Sequence, residues 1–313
     1  MLKGKKILIT GGLGFIGKNI VKELIKDNEI IIVDKFTYVS DKEFLKLHKN
    51  ICFVRKDISD FKYVSDTNIL AEDKIIILNF AAESHVDNSF SNSIEFTKSN
   101  VLSLHHFLEE TVLFTKNAKF LHVSTDEVYG DNYTSPRVEN SRLQPTNPYS
   151  ASKAAADTLV QTYRHCFNLN AKIIRPNNIY GSGQYHEKLI PKIFSHIKQK
   201  KVFPVHGAGA NRRHFLHTSD LLQAIYIIFR TWDSNAEIFN VASNDEFSVI
   251  ELLNIIKQKI NFDLEWECVE DRPYNDMNYL IDDKLLRNLG WEPKVNFLSK
   301  LIELSKEEIH GYP

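Results

Sequence analysis

A glycine-rich turn between an apolar strand and an amphipathic helix is the feature that most limits how this chain can fold. The run Lys6–Thr10 has the continuous apolar character of a buried strand, and it breaks at the glycines from Gly11 to Gly17. The apolar residues that follow recur at the spacing of one buried helix face: Ile20, Val21, Leu24 and Ile25. A strand, a tight turn and a helix in this order predict the first unit of a parallel α/β sheet.

Similar apolar runs alternate with helical patterns along the first half of the chain. Further strands are predicted at 29–34, 51–55, 75–80, 120–124 and 171–175, with helices at 93–115 and 150–166. The fold class is therefore expected to be α/β, with a Rossmann-type doubly wound parallel sheet.

The glycine turn also carries a binding motif. Gly12, Gly14 and Gly17 fit the pattern GxGxxG between strand and helix, and Asp34 ends the next strand, where it would bind ribose hydroxyls. An acid there disfavours a 2′-phosphate and so favours NAD over NADP. A nucleotide-hydrolysing P-loop is the rival interpretation, because Gly12 to Lys18 also spells GxxxxGK, but Asn19 stands where Ser or Thr would bind magnesium. A purely structural glycine turn is a third interpretation.

The pattern loosens after Arg175. Helices are predicted at 189–198, 220–231 and 249–260, and a strand at 236–241. We expect residues 1–176 to form the NAD-binding Rossmann domain, with its sheet rejoined by about 220–243. Residues 177–313 would mainly form a smaller, interleaved lobe that binds the substrate.

Composition excludes several classes of protein. The chain has 313 residues, 43% hydrophobic and 25% charged, with a net charge of −1, so no strong field attracts nucleic acid or a membrane surface. No apolar run is long enough to span a bilayer and no signal peptide is recognisable, which predicts a cytoplasmic protein. No ligand spacing indicates a metal site. The cysteines, at 52, 166 and 268, are expected to be reduced and structural.

Polar residues follow the strand predicted at 120–124. Thr125, Asp126 and Glu127 would lie at the carboxyl end of that strand, where open α/β sheets bind ligands. The alternative is a helix cap, because Ser, Thr and Asp favour that position and a following Glu completes a capping box.

Tyr149 and Lys153 are four residues apart at the start of a predicted helix, so both can face the same way. An ammonium group and an oxidised nicotinamide near a phenol would lower the pKa of the phenol and make Tyr149 a base. An ordinary helix start with a solvated lysine has the same spacing.

Taken together, these motifs resemble those of the extended short-chain dehydrogenases/reductases, and within them the nucleoside-diphosphate-glucose 4,6-dehydratases. The similar segments are 34–38 (DKFTY), 81–87 (AAESHVD), 124–130 (STDEVYG), 175–178 (RPNN), 187–191 (EKLIP) and 271–276 (DRPYND). The resemblance covers almost the whole chain. It implies NAD as the cofactor, UDP-glucose or dTDP-glucose as the substrate, and a homodimer formed by the helices at 93–115 and 150–166. Leu102, Leu104 and Leu108 could serve that interface or the internal core.

The resemblance also implies a role for each catalytic residue. Thr125 and Tyr149 would hold and deprotonate the sugar C4 hydroxyl while hydride passes to NAD, and Lys153 would tune Tyr149 and hold the nicotinamide ribose. Glu127 would then remove the C5 proton while Asp126 protonates the departing C6 hydroxyl. Hydride would return to C6 and give a 4-keto-6-deoxy sugar.

Binding residues are implied in the same way. Those for the cofactor are Gly11, Gly14, Phe15, Ile16, Gly17, Asp34, Lys35, Thr37, Asp57, Ile58, Ala81, Ala82, Ser84, Tyr149 and Lys153. Those for the substrate are Ser84, Asn178, Lys188, Leu189, Arg213, Arg272 and Asn275.

Two departures from the family pattern affect these expectations. Ser103 replaces the usual glycine three residues after Asn100, and His214 replaces the usual Asp after Arg213, which puts local packing and substrate contacts in question. The carboxyl-terminal motifs favour UDP-glucose enzymes of rhamnose synthesis over dTDP-glucose enzymes. Alternatives are an epimerase or decarboxylase of the same superfamily, which would not need the adjacent acid and base, and a non-catalytic NAD-responsive binding protein.

Overall fold

The computed structural model describes residues 2–48, 51–115, 117–271 and 274–311. The strands are β1 Lys6–Thr10, β2 Glu29–Val33, β3 Cys52–Val54, β4 Ile76–Asn79, β5 Lys119–Val123, β6 Asn132–Arg137, β7 Ala171–Pro176, β8 Asn178–Tyr180, β9 Phe203–His206, β10 Arg212–His217, β11 Ile238–Val241, β12 Glu246–Ser248, β13 Trp266–Val269 and β14 Tyr279–Ile281. The α-helices are α1 Phe15–Leu24, α2 Lys42–Leu47, α3 Tyr63–Asp66, α4 Val86–Ser91, α5 Ser93–Thr97, α6 Ser103–Phe114, α7 Pro148–Phe167, α8 Leu189–Gln199, α9 Thr218–Arg230, α10 Val249–Lys259, α11 Lys284–Asn288 and α12 Phe297–Ser305.

A parallel sheet of seven strands confirms the predicted fold class. Its order is β11-β7-β5-β4-β1-β2-β3, and every neighbouring pair is parallel. The direction of strand succession reverses between β1 and β4, which is the topological switch point where sheets of this kind bind ligands.

Both faces of the sheet are covered, which explains the continuous apolar runs in the sequence. In β1, Ile7 and Ile9 pack into one core with α1 and α9, while Leu8 packs into a second core with α6 and α7. Truncating such a fully buried side chain to alanine typically costs about 2–5 kcal/mol of stability. Because β1 is buried on both faces of the sheet, neither face carries a pattern of solvent-exposed polar residues.

A smaller lobe lies beyond the main sheet and has its own apolar core. Tyr180, Phe194, Phe215, Leu253 and Phe297 belong to that core. Three small sheets accompany it, with orders β12-β10-β8, β13-β9 and β14-β6. The strand β11 belongs to the seven-stranded sheet although it follows much of this lobe in sequence, so the two parts interleave.

One predicted helix is divided. The segment expected to be helical at 93–115 consists of α5, a π-helical turn at Lys98–Leu102 and α6. The turn carries the buried Asn100, whose side chain accepts from Glu83 N at 2.7 Å and donates to Ser152 Oγ at 2.9 Å. A local widening of this kind often accompanies a functional site and is not visible in hydrophobic spacing.

The cysteines are free, and all three are exposed, so the expectation that they are structural is wrong. Their side chains do not pack in the cores described above. None of the described helices is both long and apolar enough to cross a bilayer.

Candidate active site

A cavity of about 460 Å³ lies at the carboxyl ends of β1, β4 and β5 and continues into the smaller lobe. All fifteen residues predicted to bind the cofactor line it, as do the predicted substrate residues Ser84, Asn178, Lys188, Leu189, Arg213 and Asn275. Of the predicted catalytic residues, Thr125, Glu127, Tyr149 and Lys153 line the cavity, whereas Asp126 lies behind it. Arg272 lies outside the described residues.

Two glycines of the first turn are required by close backbone packing. Gly11 has φ +63°, and a Cβ there would lie 2.8 Å from the backbone of Ala81. At Gly17 a Cβ would lie 2.3 Å from the Gly11 carbonyl oxygen. Gly14 caps α1 at the cavity wall, so the first backbone amides of the helix are available to an anionic ligand.

Asp34 lies at the cavity wall with both carboxylate oxygens held by the protein. Its Oδ1 accepts from Phe36 N and from Ser40 Oγ, each at 2.9 Å, and its Oδ2 accepts from Leu13 N at 3.1 Å. These bonds fix the carboxylate beside the glycine turn, and its remaining lone pairs can accept from ribose hydroxyls.

The position of Lys18 argues against the P-loop alternative. The ammonium of Lys18 pairs with Asp41 at 2.8 Å, and Lys18 does not line the cavity. A P-loop requires that ammonium to reach bound phosphates.

Asp57, one of the residues predicted to bind the cofactor, is also held in place by its neighbours. Asp57 accepts from Ser59 N at 3.0 Å and lies 3.4 Å from the ammonium of Lys35. Burial acts to raise the pKa of Asp57, but hydrogen bonds from Ser59 N and Ser103 and the charge of Lys35 outweigh it, so that this pKa is lowered. Ser103, which departs from the expected family pattern, thus supports a residue of the cavity wall without lining the cavity itself.

The polar residues after β5 form a short 3₁₀ turn, Asp126–Tyr129. Thr125 is its cap, because Thr125 Oγ1 accepts from Glu127 N at 3.3 Å and donates to Asp126 Oδ1 at 3.1 Å. The helix-cap alternative is therefore confirmed at Thr125, whereas Ser124 Oγ has no hydrogen-bond partner among the described residues. Capping and cavity lining therefore coincide at Thr125.

Asp126 is buried, with 1% of its surface exposed. Burial, followed by the charge of Glu127, raises the pKa of Asp126 to about 7, against bonds from Asn177 and Thr125 that favour the ionised form. Asn177 Nδ2 donates to Asp126 Oδ2 at 2.8 Å, and Asn177 Oδ1 accepts from Ser243 N at 2.9 Å, which fixes the amide. A carboxyl group in this setting keeps a large protonated fraction near neutral pH.

Glu127 faces the cavity. Burial raises its pKa, while the positive charges of Arg213 and Lys188 act in the opposite direction. Its Oε2 lies 3.5 Å from Asn147 Nδ2, the cap of α7. The neighbouring carboxyls thus differ in their access to a ligand and in the charges that surround them.

Tyr149 and Lys153 lie in the first turns of α7, which begins at Pro148 behind an Asn147–Ser150 capping box. Lys153 Nζ donates to Val123 O at 2.8 Å, and burial lowers its pKa to about 8. Burial and the nearby carboxylates raise the pKa of Tyr149, and a hydrogen bond with Thr125 opposes this. The predicted lowering of the Tyr149 pKa requires an oxidised nicotinamide as well as Lys153, and among the protein's own groups burial has the largest influence on that pKa.

The smaller lobe contributes an arginine beside Glu127. Arg213 Nη1 donates to Asp276 O at 3.0 Å, and its guanidinium lies 4.9 Å from the ring centre of Tyr279. Asp276 in turn accepts from Thr146 Oγ1 at 2.6 Å. His214 does not line the cavity, and its Nδ1 lies 3.1 Å from Ser243 O. The replacement of the usual Asp by His214 therefore does not change a residue of the cavity wall.

Sequence reasoning missed several residues of the site. Asn147, Asn177, Asp276 and Tyr279 contact predicted site residues, but single amides and carboxylates carry no spacing signal. Asn177 and Asp276 did lie inside the segments that carried the family resemblance, and that was the available signal.

The model of the GDP-mannose 4,6 dehydratase family matches residues 8–303 of the chain. The chain belongs to this family. A trifunctional UDP-glucose 4,6-dehydratase, 3,5-epimerase and reductase of Arabidopsis thaliana is 39% identical over 94% of this chain but only 46% of its own length. The dTDP-D-glucose 4,6-dehydratase of Mus musculus is 37% identical over 98% of this chain and 90% of its own.

A solved structure is also similar to this chain over nearly its whole length. A dTDP-glucose 4,6-dehydratase from Streptomyces venezuelae, solved with NAD bound, superposes with a TM-score of 0.89 at 32% identity, covering 98% of both chains. The predicted family resemblance and the Rossmann-type fold are thereby confirmed. The chain spans about half the length of the Arabidopsis relatives that it matches.

Proposed function

We propose that this chain is an NAD-dependent nucleotide-sugar 4,6-dehydratase. It would convert UDP-glucose or dTDP-glucose to the 4-keto-6-deoxy-glucose nucleotide and water. The observation that carries the proposal is the unequal pair Asp126 and Glu127 next to Tyr149, since burial favours the protonated form of the first while the second faces the cavity. Redox-neutral elimination needs such an acid and base.

NAD fits the glycine turn of this structure. A side chain at Gly11 or Gly17 would clash with backbone atoms, so glycine at both positions keeps the turn tight. A tight turn of this kind lets its backbone approach a bound pyrophosphate closely. Asp34, Lys35, Thr37, Asp57 and Ile58 would hold the adenosine side. When bound, NAD supplies reversible hydride acceptance from the sugar. Ala81, Ala82, Ser84, Tyr149 and Lys153 would line its nicotinamide side.

The protein's own groups would move the protons. Tyr149 and Thr125 hold and deprotonate the C4 hydroxyl, and a carbonyl at C4 then makes the C5 proton acidic. Glu127 removes that proton while the C6–oxygen bond breaks and Asp126 supplies the proton of the leaving water. Asp126 has a path to the cavity, because Thr125 Oγ1 lies 3.1 Å from Asp126 Oδ1 and Thr125 lines the cavity.

Substrate binding would involve the smaller lobe. Asn178, Lys188, Leu189, Arg213 and Asn275 line the cavity beyond the catalytic groups, and arginine and lysine match a diphosphate in charge. Arg272 is proposed for the same task from the sequence alone. We assign residues 1–176, with the sheet rejoined at about 220–243, to cofactor binding and the rest of 177–313 mainly to the nucleotide sugar.

Three nucleotide sugars test the reaction. Purified protein is incubated separately with UDP-glucose, dTDP-glucose and UDP-N-acetylglucosamine, and products are analysed by mass spectrometry. We expect loss of one water from a glucose donor, with UDP-glucose preferred. A product of unchanged mass that chromatography separates from its substrate would indicate an epimerase. Loss of carbon dioxide from UDP-glucuronic acid, incubated as a fourth sugar, would indicate a decarboxylase. Absence of a dehydrated product from both glucose donors would refute the proposal.

A homodimer is proposed for the same protein. Leu104 and Leu108 are buried in the internal core, whereas Ile94, Leu102 and Leu113 are exposed on α5, the π-helical turn and α6. The outer face of α7 carries the small exposed residues Ala151, Ala155, Thr158 and Thr162, which allow close helix packing.

Light scattering tests the dimer: the mass should be twice the chain mass of 36.2 kDa, and Leu113→Glu should reduce the measured mass. A monomer mass for the wild type would contradict the dimer. A cytoplasmic location remains a prediction.

A further inference from the structure

Directly behind Lys153 lies a buried histidine that the proposed reaction does not use. His122, on β5, is 1% exposed, and its Nε2 lies 3.5 Å from Lys153 Nζ and 3.7 Å from Asp157 Oδ1. Asp157 is on α7, one helical turn beyond Lys153, and is fully buried. A histidine thus stands between a buried ammonium and a buried carboxylate.

A chain of hydrogen bonds fixes the tautomer of that histidine. Ala81 N donates to Thr10 Oγ1, so the Thr10 hydroxyl donates onward to Asn79 Oδ1 at 2.5 Å. The amide nitrogen of Asn79 then donates to His122 Nδ1 at 2.9 Å. Because Nδ1 accepts, the ring proton of neutral His122 is assigned to Nε2, which lies near both Asp157 Oδ1 and Lys153 Nζ. With the proton there, Nε2 cannot accept from Lys153, whose ammonium donates to Val123 O instead. Burial, with the charges of Lys153 and Arg175, lowers the pKa of His122 well below its ordinary value, which keeps the ring neutral.

Asp157 is held in place from its other side. Its Oδ2 accepts from Arg175 Nε at 2.8 Å, and Arg175 Nη1 also donates to Tyr129 OH at 2.7 Å and to Glu139 O at 3.0 Å. Asp157 Oδ1 accepts no hydrogen bond within the geometric limits from any described residue. Its charge is therefore directed at the His122 ring and, past it, at Lys153.

We propose that Asp157 is a positioning residue for Lys153, supplying the counter-charge that keeps the buried ammonium protonated while the neutral His122 ring prevents a direct ion pair. Without the ring, the ammonium could approach the carboxylate and leave the side of α7 that faces the cavity. With the His122 ring in place, the charge of Asp157 stabilises the Lys153 ammonium, and Lys153 remains beside Tyr149. The role assigned to Lys153 rests on the proposed function, whereas the charge relation between Asp157 and Lys153 does not.

Other titratable or charged groups act on His122 or Tyr149, the neighbours of Lys153, and must be considered with Asp157. Tyr149 lies on the same helix, Arg175 on β7 acts on His122, and the turn after β5 carries Asp126 and Glu127. Burial lowers the pKa of Lys153, and Asp157 is the charged group that raises it. Removing the carboxylate charge should therefore move the Lys153 titration to lower pH.

The test measures that titration directly and does not require turnover. A small acylating reagent is supplied through the cavity that Lys153 lines, and peptide mass spectrometry gives the labelling rate of this largely buried lysine as a function of pH. In Asp157→Asn the midpoint should fall by about one pH unit or more. The upper limb of the dehydratase pH profile should fall by a similar amount.

Tyr129→Phe is the matched control. It removes a hydroxyl that bonds Arg175 and Asn240 in the same buried network but leaves every charge in place, so the midpoint should stay where it is. Asp157→Leu combined with Arg175→Met removes both charges together and avoids an unpaired buried arginine if Asp157→Asn does not fold. An unchanged Lys153 midpoint in either folded charge variant, or an equal fall in Tyr129→Phe, would overturn the proposal.

The labelling result separates two kinds of failure. If no glucose donor is dehydrated but the Lys153 midpoint falls in Asp157→Asn, the function is wrong and the counter-charge is right. If dehydration occurs and the midpoint is unchanged, the function stands and Asp157 is only a structural partner of Arg175.

Discussion

The carboxyl end of β5 has two sides with opposite surroundings. The cavity side carries Thr125, Glu127 and Tyr149, which line the space open to a ligand. The buried side carries His122, Asp126 and Asp157, each 1% exposed or less and surrounded by other protein groups. Residues adjacent in sequence, such as Asp126 and Glu127, thus fall on different sides.

The difference shows how one short segment can supply groups with distinct roles. Exposure to the cavity allows Glu127 to meet a substrate and keeps it near the charges of Lys188 and Arg213. Burial, with a fixed amide from Asn177, favours the protonated form of Asp126 at neutral pH. In the proposed reaction, the chemistry on the cavity side would therefore depend on charges and protons that the buried side holds.

Glu127→Gln should have the largest effect, because it removes the proposed base from the cavity side with little change in shape. Dehydration should fall about 10²- to 10⁴-fold, while oxidation at C4 can still occur. Reduced nicotinamide should then accumulate on the enzyme, which its absorbance reports. Normal turnover by this variant would remove Glu127 from the role of base.

Asp126→Asn should have a smaller effect on the rate, about 10- to 100-fold, since water can partly replace an acid that reaches the cavity through Thr125. In the wild type, elimination should decline as the pH rises above about 7, where Asp126 loses its proton. A pH profile of product formation checks this. A rate equal to the wild type would show that the buried side supplies no proton.

The same substitution should increase stability at alkaline pH. The folded protein holds the Asp126 proton up to about pH 7, whereas the ordinary pKa of the side chain is 3.8. The wild-type free energy of unfolding should therefore fall as pH rises through this window and remain lowered above it. Asp126→Asn should avoid that loss, gaining up to about 4 kcal/mol at alkaline pH and nothing below the ordinary pKa. Urea unfolding of wild type and variant, at alkaline pH and below the ordinary pKa, measures the difference in their free energies of unfolding. An equal gain in stability at both pH values would contradict the buried Asp126 charge as its cause.

Arg213→Lys should give the smallest effect. Lysine keeps the charge but loses the planar contact with Tyr279 and the fixed bond to Asp276 O, so we expect KM to rise about tenfold with kcat changed little. Arg212→Lys is the control, because Arg212 pairs with Glu246 and Glu251 outside the cavity. Steady-state kinetics on both variants separates binding from chemistry, and equal KM values would exclude Arg213 from substrate binding.

Much of the fold could be predicted because local patterns encode it. Each apolar strand and the glycine turn are continuous in sequence, and parallel strands must bring their carboxyl ends to one edge. The predicted helix at 93–115 was less accurate, because the π-helical turn at Lys98–Leu102 depends on Asn100 bonding to Glu83, across a contact that no periodicity contains.

By itself, the sequence determined the doubly wound sheet, the glycine turn beside Asp34 and the meeting of Thr125, Glu127, Tyr149 and Lys153. These depend on hydrophobic spacing and on short motifs. Only the tertiary structure decided which carboxyl faces the cavity, and that Asp157 lies behind His122 next to Lys153. Protonation depends on burial and on charges brought together from distant positions, and those distances do not exist in the unfolded chain.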